Sequence, residues 1–393
     1  ADIAEINPRT DIALAEEERV SFLPMQSTSE SGDIIALQER VFAQVSKGYT
    51  RFAENDVLVA KITPCFENGK GGYAKGLLNG IGFGSTEFHI VRAIPGKADS
   101  RFLHHLTRSE RFRKAGEGSM TGSAGQKRIP SNFIKDFPIF IPPLPEQKKI
   151  AEILSGIDKE IAGVSQIIQG KRLFRESLLR QIIPHQSSFG DGLPPEGWNL
   201  VTIEEICSLI TYGFTNPMPT SDRGIYMVTA KDVRDGKIDK GTARFTSVEA
   251  YETLLTDKSR PRRNDILVTK DGTLGRTAVV GEETICINQS VALLRPSDEQ
   301  NAQFLQLLLS SPQYQETMIE ESGGSAVKHI YITTLAKMPI AIPSSPERRE
   351  EVVGFCYSLN KSIDILLKKH DCLSNLKKGL ASDLLSGRKR VSV

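Results

Sequence analysis

Glycine-rich and histidine-containing segments are the first places to look for chemistry in this chain. Residues 69–72 read Gly-Lys-Gly-Gly, but no Lys-Ser or Lys-Thr pair closes the segment as a phosphate-binding loop would require. We therefore predict an exposed turn there, within a loop over residues 69–76. The chain has 6 histidines, and their spacing relative to carboxylates is not that of a metal site. His104 and His105 are adjacent, so on a helix they point to different sides and are not expected to share a ligand.

A second candidate for catalysis is the tetrapeptide Asn-Pro-Met-Pro at residues 216–219. It is partly similar to the Asn-Pro-Pro-aromatic motif of amino-methyltransferases, but it lacks the aromatic ring that would stack on a flipped base. No glycine-rich cofactor motif precedes it, and no Pro-Asp…Glu-x-Lys nuclease pattern stands out in the chain. The sequence therefore predicts a loop here, a non-catalytic protein and no cofactor on this chain. A single-chain modification enzyme stays open as a third alternative.

Cationic side chains that lie beside residues able to contact base edges are the binding candidates. Arg and Lys can pair with guanine and Asn or Gln with adenine, while other cations hold phosphates. The net charge is only +2, so a nucleic-acid footprint must come from how the charge is distributed. For each residue the alternative is a solvated surface charge. The candidates are Lys61, Lys70, Arg111, Gln126, Lys127 and Arg128 in the first half of the chain, and Arg262, Arg263, Lys270, Thr273, Arg276, Lys328, His329 and Tyr331 in the second.

Two long helices are the elements that would position these candidates. Residues 145–184 have apolar side chains at alternating gaps of four and three, which is the 3.5-residue period of a coiled-coil seam. The same spacing recurs from Pro346. Two such seams bury their apolar stripes most simply against each other, and the alternative is two independent helices, each on its own domain. The seam residues are Ile150, Leu154, Ile157, Ile161, Val164 and Ile168 in the first helix, and Val352, Cys356, Leu359, Ile363 and Leu366 in the second.

Short segments recur before each long helix, and they indicate a tandem duplication. The first copies are RFAENDVLVAK at residues 51–61, GSAGQKRIP at 122–130 and DFPIFIPPLPE at 136–146; the second copies are PRRNDILVTK at 261–270, GGSAVKHIYI at 323–332 and KMPIAIPSSPE at 337–347. We predict a β-rich unit followed by a long helix, twice over. The predicted domains are residues 1–142 and 197–343, the helices 143–184 and 344–387, the linker 185–196 and the tail 388–393.

Local patterns place the remaining elements. Strands are predicted at residues 52–62, entered from an Asn-Asp turn, at 88–91 and at 136–145. Helices are predicted at residues 100–115 and 302–320.

Length and composition are those of a soluble globular protein. A chain of 393 residues suggests two or three domains, and it has no run of about 18 apolar residues that would span a membrane. The 5 cysteines include no Cys-x-x-Cys pair, so we expect reduced thiols in the cytoplasm and neither disulfides nor a zinc site. The chain opens at Ala1 with no signal-like leader, so we expect a trimmed start and no secretion.

Four segments together resemble one known family. They are GSAGQKRI at residues 122–129, IPPLPEQKKIAEILSGIDKEI at 141–161, PPEGWNLVTIEEI at 194–206 and LKKGLASDLLSGR at 376–388. With them the chain resembles the specificity subunits of type I restriction–modification enzymes. The resemblance implies an α+β fold with two β-rich target-recognition domains in pseudo-two-fold tandem repeat, separated by two long helices packed as an antiparallel coiled coil. It also implies double-stranded DNA as ligand, with each domain contacting one half of a bipartite site.

The same resemblance implies the partners. Two methyltransferase subunits would dock on the helices and domains and carry the S-adenosylmethionine, motor–nuclease restriction subunits would join them, and no membrane is involved. The chain departs from the family at its start, because the second unit opens with Glu196-Gly197-Trp198 while the first opens inside the equivalent segment. A non-catalytic assembly scaffold that uses the coiled coil remains the alternative from another class.

Overall fold

The structure, a computed structural model, describes residues 2–9, 14–123, 125–189, 192–234, 236–324 and 328–392. The chain divides into two compact units, Ala1–Ser165 with Lys368–Val393 and Gln166–Leu367. Each unit combines β-sheets with helices, and a long helix lies between the two β-rich parts of the chain, which confirms the predicted α+β class. No helix in these described ranges is long and apolar enough to cross a membrane.

The first unit contains two four-stranded sheets. Its strands are β1 (Ala4–Ile6), β2 (Arg19–Leu23), β3 (Gln38–Val41), β4 (Thr50–Ala53), β5 (Val57–Ala60), β6 (Gly71–Tyr73), β7 (Ile81–Gly84) and β8 (Phe88–Ala93). The sheet orders are β1-β8-β5-β6 and β3-β2-β7-β4. All neighbours are antiparallel except β2 and β7. The sequence of β5, Val-Leu-Val-Ala, is buried throughout, as expected for a strand that is covered on both faces.

The helices of the first unit correct two expectations. They are α1 (Phe42–Val45), α2 (Ser100–Arg108), α3 (Glu110–Ser119), α4 (Ser131–Asp136) and the first part of α5 (Leu144–Ile182). The single helix predicted at residues 100–115 is wrong, because Ser109 is extended and its hydroxyl accepts the Phe112 N–H to cap a new helix. The loop predicted at residues 69–76 contains β6, since Gly71 lets that strand approach β5; a Cβ there would lie 2.3 Å from the Leu58 carbonyl oxygen.

The second unit repeats the first of these sheets. Its strands are β9 (Trp198–Thr202), β10 (Cys207–Tyr212), β11 (Ile225–Val228), β12 (Val233–Arg234), β13 (Lys237–Ile238), β14 (Arg244–Thr246), β15 (Ile266–Thr269), β16 (Thr277–Val279), β17 (Ile285–Ile287), β18 (Val291–Pro296) and β19 (Pro339–Pro343). The order β10-β18-β15-β16 has the same sequence of pairings as β1-β8-β5-β6. Three smaller sheets, β14-β11-β17, β12-β13 and β19-β9, complete the unit.

The helices of the second unit are α6 (Ile203–Ile206), α7 (Val248–Leu254), α8 (Asn301–Leu309), α9 (Pro312–Glu320), α10 (Ile332–Lys337) and the first part of α11 (Pro346–Leu385). The single helix predicted at residues 302–320 is therefore wrong. Pro312 begins α9 at a first-turn position, where its missing N–H has no intrahelical partner to lose, whereas inside one continuous helix it would break a hydrogen bond.

The strands predicted at residues 52–62 and 136–145 also need correction. The first is two strands in different sheets, because β4 ends at Ala53, β5 begins at Val57 and the Asn-Asp turn lies between them. In the second, residues 137–143 form no strand with any part of the chain that the structure describes. The equivalent residues of the second unit form β19, which pairs with β9 along its whole length. A strand requires such a partner, so the difference lies in the neighbour and not in the segment itself.

The same Asn-Asp turn precedes the central strand in both units. Asn55 and Asn264 adopt the left-handed backbone conformation, with φ of 69° and 67°. Asn tolerates this conformation better than most residues do. The next residue, Asp56 or Asp265, accepts a backbone N–H three residues earlier at 2.7 Å in each unit. The sequence match that indicated a duplication therefore reports a shared turn geometry.

A buried ion pair follows each of these turns. Arg92 donates to both carboxylate oxygens of Asp56 at 2.7 and 2.6 Å, and Arg295 does the same to Asp265 at 2.8 and 2.7 Å. The two aspartates are each 1% exposed. Each pair joins the turn to the neighbouring strand, β8 or β18, and fixes the start of the central strand.

The long helices pack against each other within each unit. In the first unit, Leu154 of α5 lies in the same buried cluster as Leu384 of α11, and Lys377 donates to Asp158. In the second, Leu179 shares a buried cluster with Cys356. In the first unit, the contact further along α5, at Asp158, is made by a residue earlier in α11, at Lys377. The two helices therefore pack antiparallel. Of the predicted seam, Ile150, Leu154, Val164, Ile168, Cys356 and Ile363 are buried, and Ile157, Ile161, Val352, Leu359 and Leu366 are half-buried.

Candidate nucleic-acid interface

The first unit gathers several predicted cations where β5 ends. Lys61 follows the strand directly, and its backbone oxygen accepts the Ile129 N–H at 3.0 Å. The loop at residues 121–130 is held there by bridges from Arg128 to Ile62 and to Thr121. These main-chain bonds hold the base of the loop at the strand end, and they do not involve the loop's side chains. Gln126 and Lys127 are exposed on this loop.

An acidic side chain fixes the cation of this loop. Arg128 donates to both carboxylate oxygens of Glu87, at 3.0 Å from Nε and 2.8 Å from Nη2. The hydrogen bond from Arg128 lowers the pKa of Glu87, which is therefore ionised at neutral pH. Lys61 Nζ donates to the Thr86 carbonyl at 2.7 Å, and its partial burial lowers the pKa of the ammonium group. The first edge, defined as Lys61, Lys70, Gln126, Lys127 and Arg128, therefore combines free and paired cations.

The second unit has the same construction where β15 ends. Lys270 follows the strand, and its backbone oxygen accepts the Ile330 N–H at 3.0 Å. His329 forms main-chain bridges to Asp271, beside this strand end, and to Gly323. Residues 325–327, which include part of the predicted loop match, lie outside the described residues.

The charges at this second position are arranged differently. Lys270 Nζ lies 2.9 Å from Asp271 and 5.5 Å from the centre of the Tyr212 ring, and His329 Nδ1 also pairs with Asp271. Partial burial acts to raise the pKa of Asp271, but hydrogen bonds from His329 and Lys270 outweigh it and the pKa is lowered. Lys328 and Tyr331 are exposed beside this cluster. The second edge is defined as Lys270, Thr273, Arg276, Lys328, His329 and Tyr331.

Two further predicted cations occupy equivalent places. The Lys70 carbonyl accepts the N–H of Ala60, the last residue of β5, at 3.1 Å. The Arg276 carbonyl accepts the N–H of Thr269, the last residue of β15, at 2.8 Å. Each cation therefore begins the hairpin partner of the central strand. Thr273 is exposed in the turn between β15 and β16, where its carbonyl accepts the Thr269 hydroxyl.

Three predicted cations lie elsewhere. Arg262 and Arg263 precede β15, so they lie at the opposite end of a four-residue strand from Lys270, about 13 Å or more along the chain direction. They are paired with Asp257 at 2.8 Å and Glu282 at 2.6 Å. Arg111 of α3 donates to the Pro138 carbonyl and covers the Phe137 ring, beside the chain that leads into α5. These three residues do not belong to either edge.

The sequence analysis did not identify three residues that contact the edges, namely Glu87, Asp271 and Tyr212. Glu87 and Asp271 are acidic, whereas an anion-binding surface is predicted from cationic and polar side chains alone. Asp271 directly follows Lys270, so its place could have been inferred from the sequence. Glu87 is 41 residues away from Arg128 along the chain, and only the fold joins them. Tyr212 lies on β10, and nothing in its local sequence indicates that it meets Lys270.

The adjacent histidines, His104 and His105, lie in the interior of the first unit. His104 and His105 are buried, and His105 Nε2 lies 2.9 Å from the Ser155 hydroxyl of α5. Burial lowers the pKa of His105 to about 4, so the ring is neutral at pH 7. Within the described ranges no group of three or more His, Cys, Asp or Glu residues could hold a metal ion.

Two copies of one β-rich unit, each with cations at the same strand end and each followed by a long helix, define a tandem-repeat protein with a duplicated surface suited to an anionic ligand. The family model of the type I restriction modification DNA specificity domain matches residues 1–170 and 195–381. The chain therefore belongs to this family.

Individual relatives match different shares of the chain. The EcoAI specificity subunit of Escherichia coli is 46% identical over 149 residues, which are 38% of this chain and 25% of that protein. The EcoBI specificity subunit of the same species is 28% identical over 68% of this chain and 61% of its own length. The MjaVIII specificity subunit of Methanocaldococcus jannaschii is 23% identical over 99% of this chain and 91% of its own length. The chain thus spans about a quarter of the EcoAI subunit.

Solved structures support the same fold. The S subunit of a type I restriction–modification system from M. genitalium aligns with a TM-score of 0.57 at 13% identity, covering 98% of this chain and 94% of that one. A chain from a structure on complex assembly and conformational transition of the type I R-M system aligns with a TM-score of 0.59 at 19% identity, covering 95% and 93%. At these identities the similarity concerns the fold alone.

Proposed function

We propose that this chain is a non-catalytic DNA-recognition subunit that binds a bipartite site, with one half of the site contacted by each β-rich unit. One observation carries the proposal. Both units build a cationic edge from the same main-chain bridges at the end of the same strand, yet the side chains on the two edges differ. A duplicated scaffold with divergent side chains is what two different half-sites would require. The membership in the DNA specificity family supports this proposal.

The exposed residues of the two edges differ in the kind of DNA contact that they can make. Lys127 and Lys328 are exposed, and in the part of the chain that the structure describes neither makes an ion pair, so both are suited to phosphate contacts. Gln126 has an amide that can pair with adenine, and Tyr331 offers a ring and a hydroxyl on an exposed side chain. Paired cations cost more to redirect towards DNA, because they must first leave their carboxylates.

The test of DNA recognition uses the chain assembled with its methyltransferase partner and a library of random duplexes. A split, sequence-specific site should be selected. Lys127→Ala and Lys328→Ala should each weaken binding to every selected duplex and reduce the dependence of log K on log salt by about one phosphate contact. Arg262→Ala is the matched control, because it removes an exposed cation away from the edge. Selection of no sequence at all by the assembled complex would contradict the proposal.

The outer faces of the long helices suggest how methyltransferase subunits are recruited. On α5, Ile167 and Phe174 are 51% and 54% exposed, and Gly170 lies between them at the same 3.5-residue spacing. On α11, Phe355 and Ile365 are 51% and 59% exposed. Apolar residues at this spacing that are not covered by the seam are suited to a further helix on each side. We propose that one methyltransferase subunit docks on the exposed apolar residues of each helix and brings the S-adenosylmethionine. Restriction subunits then join that complex in the cytoplasm.

Recruitment can be tested separately from DNA binding. Phe174→Asp should abolish co-purification of the methyltransferase subunit, because it places a charge in an apolar contact. Arg172→Asp is the control, since this exposed residue points to another side of α5. Equal retention of the methyltransferase subunit by both variants would contradict docking on the exposed apolar residues of α5. Normal partner binding without any DNA affinity in the assembled complex would instead favour the assembly scaffold.

A further inference from the structure

We propose that Glu87 and Asp271 are positioning residues for DNA specificity, each holding one reading loop in place through the side chain at the loop's base, Arg128 or His329. The inference rests on the proposed function, and it assigns a role to two acids on surfaces otherwise suited to phosphate.

The first observation is that both oxygens of each carboxylate are engaged. Glu87 accepts two separate donors of the Arg128 guanidinium, a fork geometry that fixes the plane of the side chain. Asp271 accepts His329 on one oxygen and Lys270 on the other. The carboxylates are therefore neutralised by the loop and by the strand end, and neither is left to repel a phosphate.

The second observation is that the two acids come from different places in the duplicated unit. Glu87 directly precedes β8, and its backbone oxygen accepts the Lys61 N–H at 2.8 Å. Asp271 instead follows Lys270 after β15. Arg128 and His329 nevertheless occupy the same bridged position in their loops. The carboxylate therefore comes from a different position in each unit, although it pairs with the equivalent loop residue in both.

The consequence concerns the exposed residues next to each paired side chain, Arg128 and His329. Gln126 and Lys127 precede Arg128, and Lys328 precedes His329, so the side-chain pair and the main-chain bridges together fix where these exposed groups point. Loss of the carboxylate frees Arg128 or His329 to move away and lets the loop sample other positions. Discrimination between bases depends on donor and acceptor placement, so it should suffer more than overall binding.

The experiment measures methylation by the chain assembled with its methyltransferase subunits, on duplexes that carry the selected site or a single base change in one half. Glu87→Gln keeps the shape and removes the charge. It should lower discrimination at the half-site read by the first unit by about tenfold or more and leave the other half unchanged, while Asp271→Asn should do the reverse. Glu282→Gln, which affects only the Arg263 pair, is the matched control.

Arg128→Lys provides a second variant that keeps the positive charge but loses the fork. It should reproduce the Glu87→Gln defect, because a phosphate contact would tolerate lysine whereas the two-point pair with Glu87 would not. Unchanged discrimination in Glu87→Gln and Asp271→Asn, or an equal loss at both halves in each variant, would overturn the inference. A wild-type complex that methylates without any sequence preference would instead mean that the proposed function itself is wrong.

Discussion

Removal of the Asp56 carboxylate should destabilise the first unit by about 3 kcal/mol. The carboxylate is 1% exposed and accepts three hydrogen bonds, two from Arg92 and one from the Ala53 N–H. Loss of one member of a fully buried ion pair costs roughly 3–5 kcal/mol. The Arg92 side chain is 27% exposed, so water can partly solvate it and the lower end applies. Asp56→Asn keeps one acceptor and should cost about 1–2 kcal/mol.

Hydrogen exchange followed by mass spectrometry is the appropriate assay, because a chain with two compact units does not unfold in one step. In Asp56→Ala, amides of β5 and β6 should exchange about 100-fold faster, while those of β15 and β16 keep their rates. Asp265→Ala should give the opposite pattern. Asp257→Ala, which breaks the exposed pair with Arg262, is the control and should change little. If exchange in β5 rises less than about threefold in Asp56→Ala, the ion pair does not anchor the strand.

Four further outcomes are expected. Replacing Ile157 and Ile161 together by Asp should separate the helix pair, as measured by loss of crosslinking between α5 and α11. Exchanging residues 1–142 for another unit of the family should change only one half of the selected DNA site. Gly213→Ala should prevent folding of the second unit, seen by limited proteolysis, because Gly213 is buried and its Cβ would lie 1.9 Å from a carbonyl oxygen of β17. Gly96→Ala, at an exposed turn with a φ of 78° and no neighbour within 4 Å, should add only backbone strain. Burial lowers the pKa of His105 to about 4, so the unfolded chain gains a proton first as pH falls, and His105 should contribute a loss in stability of the first unit of roughly 1.4 kcal/mol per pH unit between about 6.5 and 4. Burial also lowers the pKa of His104, which acts in the same direction, so His105→Gln should reduce that dependence without removing it.

The parts of the fold that could be predicted depend on local chemistry. The Asn-Asp doublet before β5 and β15 is readable because Asn accepts a left-handed conformation and Asp caps the turn beside it. Pro at the start of each long helix and the 3.5-residue period are equally local. The two helix breaks were also readable, since Ser109 and Pro312 are ordinary helix-start residues. Their signals were outweighed by the apolar and basic periodicity on either side.

The parts that could not be predicted depend on which segments meet. The pairing of β19 with β9 makes a strand from a sequence whose counterpart at residues 137–143 is not one. Arg262 and Arg263 have the composition of a DNA-binding cluster, but the length of β15 separates them from Lys270. The contact of Glu87 with Arg128 joins residues 41 positions apart. Each of these facts follows from tertiary structure, on which single-residue chemistry gives no information.

Comparison of the two units separates what the scaffold requires from what recognition would require. The turn, the buried Asp–Arg pair and the main-chain bridges of the loops are the same in both, and all of them are either buried or independent of exposed side chains. The side chains at the edges differ: Arg128 corresponds to His329, and Lys70 to Arg276. Because a backbone bridge tolerates nearly any side chain, the edge can change residue by residue without loss of the strand beneath it. A unit built this way can acquire a new half-site at little cost in stability, provided that the side chain at the base of each new loop has a carboxylate to hold it.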